Sequence, residues 1–241
     1  MNSDKIEIIS DPACGAIPHA TIEPLGWYMG VLFVIFFVPT IIILGKKLSK
    51  ENRDYILYGM GIYQLGKTAI VQMSHVLSDN YILATHLPLQ LCSISGILAG
   101  VVVFYRKQIL LEFLYFFGIV GFIHSILTPE FTGGTSPSNY FDYYVGHSML
   151  FIVPIWLMMF YGFRLRKNAW WTSFIYLQLI VVVVSQANII IGDCANYMYL
   201  TTAPIVDNIF VLSEPYYILG FEFAALAHFY LLEVIGRKFF K

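Results

Sequence analysis

The chain has 241 residues, 58% hydrophobic and 12% charged, with a formal net charge of −1 and a mean hydropathy of +0.70. A soluble domain of this size carries about twice that share of charge, so a water-soluble globular fold is excluded. The weak net charge gives no footprint for nucleic acid.

In chain order, residues 1–24 read as an extracytoplasmic N-terminal arm. They lack a basic stretch followed by an apolar core, so no cleavable signal peptide is expected and the first membrane segment serves for targeting. Seven apolar segments follow, each near the roughly 20 residues that cross a bilayer as a helix: 25–44, 55–77, 86–104, 109–127, 144–162, 170–191 and 216–235. Residues 25–235 are therefore expected to form one membrane domain, and 236–241 a cytoplasmic basic tail. No soluble domain and no internal repeat is visible.

All but two of the 14 basic residues lie in alternate connections. Lys46, Lys47, Lys50 and Arg53 follow the first segment, Arg106 and Lys107 the third, Arg164, Arg166 and Lys167 the fifth, and Arg237, Lys238 and Lys241 the seventh. The opposite connections, 78–85, 128–143 and 192–215, carry Asp79, Glu130, Asp142, Asp193, Asp207 and Glu214 instead. The positive-inside rule then places the N-terminus outside and the C-terminus inside. The expected fold is an all-α polytopic bundle of seven transmembrane helices.

Polar stripes run along three segments. Gln64, Lys67, Thr68 and His75 share a face of the second. Pro88, Cys92, Ser95 and Gly96 cluster on the third, and Gln178, Ser185, Asn188 and Gly192 on the sixth. Lipid cannot satisfy such groups, so these faces point into the bundle. Gly96 and Gly100 form a G-x-x-x-G pair, read as close helix packing. Lys67 and Glu222 each lie well inside a segment. A Lys67–Glu222 ion pair is the structural reading, and an anionic headgroup or carboxylate held by Lys67 the functional one. His228, mid-way along the last segment, reads as a hydrogen-bonded core residue.

Cys92 follows Pro88 by about one turn, roughly 9 Å inside the third segment at 1.5 Å per residue. A thiol attacks only as the thiolate, which an apolar setting disfavours. Two features counter that. Pro88 is placed near the first helical position, leaving Cys92 within reach of the positive end of the helix dipole. His75, His86, His124 and His147 also lie near segment ends on the same side, where an imidazole can take the proton. Three of them, His75, His124 and His147, read alternatively as a zinc site. The other two cysteines, Cys14 and Cys194, fall in outer connections, where an oxidising compartment permits a disulfide.

The runs Leu87-Pro-Leu-Gln-Leu-Cys92-Ser-Ile, Asn196-Tyr-Met-Tyr-Leu200 and Pro215-Tyr-Tyr-Ile218, with His147 at the entry to the fifth segment, resemble the YwaF-type bacterial integral membrane protein family. That family is related to human transmembrane protein 164. The resemblance covers about residues 25–235. Gln90 stands where bacterial relatives often carry histidine. What the resemblance implies is a seven-helix protein of the bacterial cytoplasmic membrane, with Cys92 at the position of a nucleophile and His147 at that of its base.

The leading expectation is acyl transfer between phospholipid and lysophospholipid through a Cys92 thioester at an outer-leaflet site, without a cofactor. Gln90, Lys67, His75, His86, His124 and Glu222 would support the site or bind substrate, and Asn188, Asn196 or a backbone N–H would hold the oxyanion. Two alternatives stand beside it. One is a non-catalytic transporter or ligand-binding protein whose pathway is lined by Lys67, Glu222 and the polar stripes. The other is a zinc-dependent lipid hydrolase.

Overall fold

The computed structural model describes residues 6–11, 15–20, 24–79, 81–129, 136–192, 194–204, 212–213 and 216–240. In the arm, β1 (Ile6–Asp11) pairs antiparallel with β2 (Gly15–Ala20), Ile6 opposite Ala20 and Asp11 opposite Gly15. Isoleucine at 6, 8, 9 and 17 favours extended backbone there. From Pro24 onward the described regular structure is helical, as the apolar segments predict.

The helices are α1 (Pro24–Lys47), α2 (Lys50–Leu77), α3 (Leu83–His86), α4 (Leu91–Phe104), α5 (Gln108–Phe113), α6 (Ile119–Leu127), α7 (Pro137–Phe160), α8 (Ala169–Ile191) and α9 (Tyr217–Phe239). A π-helical turn, Leu114–Gly118, joins α5 to α6 in one column. Two helices begin earlier than hydropathy indicates, for the same reason. Ser49 caps α2 by accepting from Asn52 N, and Ser136 caps α7 by accepting from Asn139 N with Pro137 in the first turn. A serine cap satisfies an otherwise orphan N–H of the first turn.

The third segment departs most from expectation. It is not one helix over 86–104. Proline lacks an N–H and disfavours helical backbone in the residue before it, and Leu87 is extended at ψ 141. Helix resumes only at Leu91, so Pro88 precedes α4 instead of opening it, and Cys92 is its second residue.

Among the described residues, five helical columns are long and apolar enough to cross a membrane: Leu25–Lys47, Gln108–Leu127, Pro137–Phe160, Ala169–Ile191 and Tyr217–Phe239. α2 has the length but carries the polar stripe. α4, with 14 residues, spans about 21 Å at 1.5 Å per residue, short of the roughly 30 Å hydrocarbon core.

α7 is the central helix, packed by α1, α2, α4, α6 and the π turn, while α8 and α9 pair at the side. Trp156, Phe116, Phe117, Leu111, Val102 and Phe229 build the core between them. Close approaches rest on glycine: Tyr144 and Trp156 of α7 lie against Gly30 and Gly45 of α1. Gly100 meets Leu65 and the Gly61 carbonyl of α2, as a G-x-x-x-G packing face should; a Cβ on Gly96 would have only Gln64 Nε2 at 3.8 Å. Inside α7, Pro154 cannot donate to the Leu150 carbonyl one turn back. Gly118 of the π turn fills that gap, since a Cβ there would stand 2.8 Å from Leu150 O.

The basic end is stitched by three carboxylates, two of them buried. Glu112, 1% exposed, accepts from Arg166 N, Nε and Nη2 and from Gln108 Nε2. These bonds raise the already high pKa of the Arg166 guanidinium. Glu233 accepts from Asn168 N and Trp170 N, capping α8 from α9. Asp54 accepts from Tyr161 Oη at 2.7 Å and pairs with Arg106 at 3.3 Å.

Candidate functional site

At the opposite end, where α2 finishes and α4 begins, the polar groups collect. The Cys92 sulfur lies against α6 at Gly121: a Cβ on that glycine would be 3.2 Å from Sγ and 3.8 Å from Leu150 Cδ1 of α7. His124 stands three residues beyond Gly121, and His147 three residues before Leu150. α6 runs toward this end and α7 away from it, so both imidazoles lie about one turn nearer the end than the thiol. Cys92 is a free thiol, partly buried. Among the described residues no hydrogen bond joins it to His147.

The His147 ring is fixed through Nδ1, which donates to Tyr143 O at 2.8 Å, and Tyr143 packs against it with ring centroids 4.2 Å apart. A proton on Nδ1 leaves Nε2 with its lone pair. Next to it, Gly146 leaves room for Lys67, whose Nζ would be 2.5 Å from a Cβ there. Gln64 Nε2 donates to Gly146 O at 3.1 Å.

Lys67 is paired, but not with Glu222. Its ammonium lies 2.8 Å from Asp142 Oδ2 and 3.1 Å from Asp142 O, and Tyr63 Oη donates to Asp142 Oδ1. Glu222 instead accepts from Gln178 of α8 at 2.7 Å. Asp142, read from sequence only as an outer-loop acid, sits one turn before Gly146 because α7 starts at Pro137. The single pathway lined by Lys67 and Glu222 is replaced by two local pairs between different helices.

Four other histidines meet in pairs. His75 and His86 stack with centroids 3.8 Å apart, and His86 Nδ1 accepts from Ile82 N. His124 meets His228 of α9 edge-on at 5.5 Å, and His228 Nδ1 donates to Ala224 O, the hydrogen-bonded core role expected of it. The zinc triad of His75, His124 and His147 is not assembled: among the described residues no three His, Cys, Asp or Glu side chains gather.

Asn188 and Asn196, expected to hold an oxyanion, serve the backbone instead. Asn188 Nδ2 donates to Tyr197 O, and Asn188 Oδ1 accepts from Tyr197 N, each at 3.0 Å. Asn196 closes its own loop, accepting from Thr201 N and Thr202 N and donating to Thr202. Gln90 accepts from Met198 N at 2.9 Å. The expected pairing of Cys14 with Cys194 falls on Cys14, which lies outside the described residues.

Tyr197 is the residue that sequence reasoning missed, although its motif was visible. It is 2% exposed. Its hydroxyl donates to Leu83 O at 2.6 Å and accepts from Leu87 N at 2.8 Å. Burial pushes this phenol up to about 12, so it remains a donor at neutral pH. Met198 and Tyr199 follow in left-handed backbone at φ 58 and 55, strain that persists only where the surroundings impose it. The segment 194–204 thus straps the break that precedes α4. Tyr197→Phe removes both bonds and leaves the Leu87 N–H without a partner. It is expected to destabilise the fold by about 1–3 kcal/mol, read as a lower thermal midpoint and faster amide exchange at Leu87.

A bundle of apolar helices long enough to cross a bilayer, with its polar residues turned inward, defines a multi-pass membrane protein. The chain belongs to the TMEM164 family, whose model matches residues 19–233, in accord with the motif resemblance. No curated protein and no solved structure matches the chain.

Proposed function

We propose that the protein is a membrane-embedded acyltransferase that moves a fatty acyl chain from a phospholipid to a lysophospholipid through a Cys92 thioester. The observation that carries this reading is the position of Cys92 as the second residue of α4. Helix bonding begins with Ile94 N to Gln90 O. The N–H groups of Leu91, Cys92 and Ser93 have no backbone acceptor among the described residues, and they mark the positive end of the helix.

In the first step His147 Nε2 takes the thiol proton. The sulfur attacks the ester carbonyl, and the oxyanion is held by first-turn N–H groups. The C–O bond breaks, and the imidazolium returns its proton to the departing lysolipid oxygen. In the second step the same nitrogen takes the proton of the acceptor hydroxyl. That oxygen attacks the thioester carbonyl, the C–S bond breaks, and the cysteine is regenerated. Water in the acceptor's place would make the reaction a hydrolysis.

The wider reading has seven crossings, the N-terminus outside and the C-terminus inside, in the bacterial cytoplasmic membrane. Its support is the alternation of basic connections, with α3, the Leu87–Gln90 break and α4 together making the third crossing. The outer arm would be tied to the last outer connection by Cys14 and Cys194.

The test is intact-protein and peptide mass spectrometry of protein purified from membranes. The expected result is a thioester-linked acyl chain on Cys92 that hydroxylamine releases, and no acyl exchange in Cys92→Ala. Full exchange in Cys92→Ala would sink the mechanism.

A further inference from the structure

Ser95 is completely buried, and its hydroxyl has no hydrogen-bond partner among the described residues. Some hydroxyls in this bundle return to a carbonyl about one turn back, as Ser125 does to Phe122 O and Thr68 to Gln64 O, while those of Ser148 on α7 and Ser173 on α8 are, like that of Ser95, without a partner among the described residues. Ser95 does not, and a buried donor left unused is costly. Its placement says what it faces. Residues 92 and 95 are one turn apart on the same side of α4. A helical side chain leans toward the N-terminus and covers the turn before its own, so Ser95 covers the turn that holds Cys92. Ala99 and Val102, further along the same face, are equally buried and apolar.

We infer that the Ser95 hydroxyl donates a hydrogen bond to the Cys92 sulfur in its thiolate form, completing a small anion-holding site with the free N–H groups of Leu91, Cys92 and Ser93. No hydrogen bond joins the hydroxyl to the neutral thiol in this structure; the bond forms when the charge does. This rests on the reading of Cys92 as the nucleophile. Of the elements packed against α4, α2 brings Lys67 and His75, α6 brings His124, and α7 brings Asp142 and His147 to this end. Lys67 and Asp142 are paired with each other, which leaves the imidazoles as proton acceptors. Ser95 adds a donor on α4 itself, beside the sulfur, in addition to the N–H of whichever imidazolium has taken the proton.

The test is the rate of N-ethylmaleimide alkylation of Cys92 against pH, read on the Cys92 peptide in purified full-length protein. Ser95→Ala is expected to move the midpoint up by about one pH unit, which slows alkylation about tenfold near neutrality. The limiting rate at high pH should be unchanged, and Ser95→Thr should restore the native profile. A Ser95→Ala profile that coincides with the native one overturns the inference, as does slowing by the same factor at every pH. Thermal unfolding separates a folding defect, since removing an idle buried hydroxyl should leave the midpoint unchanged or higher. If the native protein carries no acyl thioester but Ser95→Ala still shifts the profile, acyl transfer fails and the Ser95 contact stands.

Discussion

His147→Ala is expected to lower acyl exchange by about 10²–10⁴-fold, the usual contribution of a positioned general base, while the protein stays folded. The substitution removes one bond, from Nδ1 to the Tyr143 carbonyl. That carbonyl remains part of a helix and keeps its own helical partner. Exchange of a labelled acyl chain between phospholipid and lysophospholipid in proteoliposomes is the measurement. His124→Ala is the informative comparison, because that imidazole flanks the thiol from α6 as His147 does from α7. Its ring already engages His228, and its loss should cost less than about tenfold. The reverse ranking would assign the base to α6.

Glu112→Ala should be the most destabilising single change at the basic end. The carboxylate is 1% exposed and binds Arg166 through its side chain and its backbone N–H, with Gln108 as a further donor. Removing one partner of a buried, hydrogen-bonded ion pair costs about 3–5 kcal/mol. The lower figure applies here, because the Arg166 side chain is 55% exposed and can turn to water. The measurement is the thermal midpoint in detergent, compared with Lys50→Ala. That variant breaks a pair whose lysine is 83% exposed and should change little. Equal midpoints for the two variants would show that Glu112 does not hold the bundle together.

Hydropathy located the helices because a bilayer asks one simple thing of a spanning segment. It misplaced the starts of α2 and α7, which are fixed by Ser49 and Ser136 acting as caps, and it ran through Pro88, whose effect is local and steric. The inward turn of the polar stripes was legible, but their partners were not. Lys67 finds Asp142 rather than Glu222 because α7 begins early enough to carry Asp142 into the bundle, and only the packing of α2 on α7 selects it. Asn188 and Asn196 were read as donors waiting for a substrate. They are consumed by backbone groups nearby in the chain, a use that polar asparagine side chains serve readily in loops. Cys92 and His147 were visible as residue types, and so was the shallower level of His147, while the helices that pack around the thiol were not.

The short length of α4 bears on the leaflet around it. Under the proposed seven crossings, Arg106, paired with Asp54, would set the basic end of this helix near one interface and leave the thiol about 10 Å short of the opposite hydrocarbon boundary. Lipid ester groups rest near that boundary. For an enzyme acting on them, either the bilayer dimples beside α4 or the lipid is drawn inward, at fractions of a kcal/mol per Å of mismatch. Under the proposed acyl transfer, membrane thickness would become a variable of the reaction itself: a thinner bilayer would deliver the ester to the sulfur, and a thicker one would hold it away.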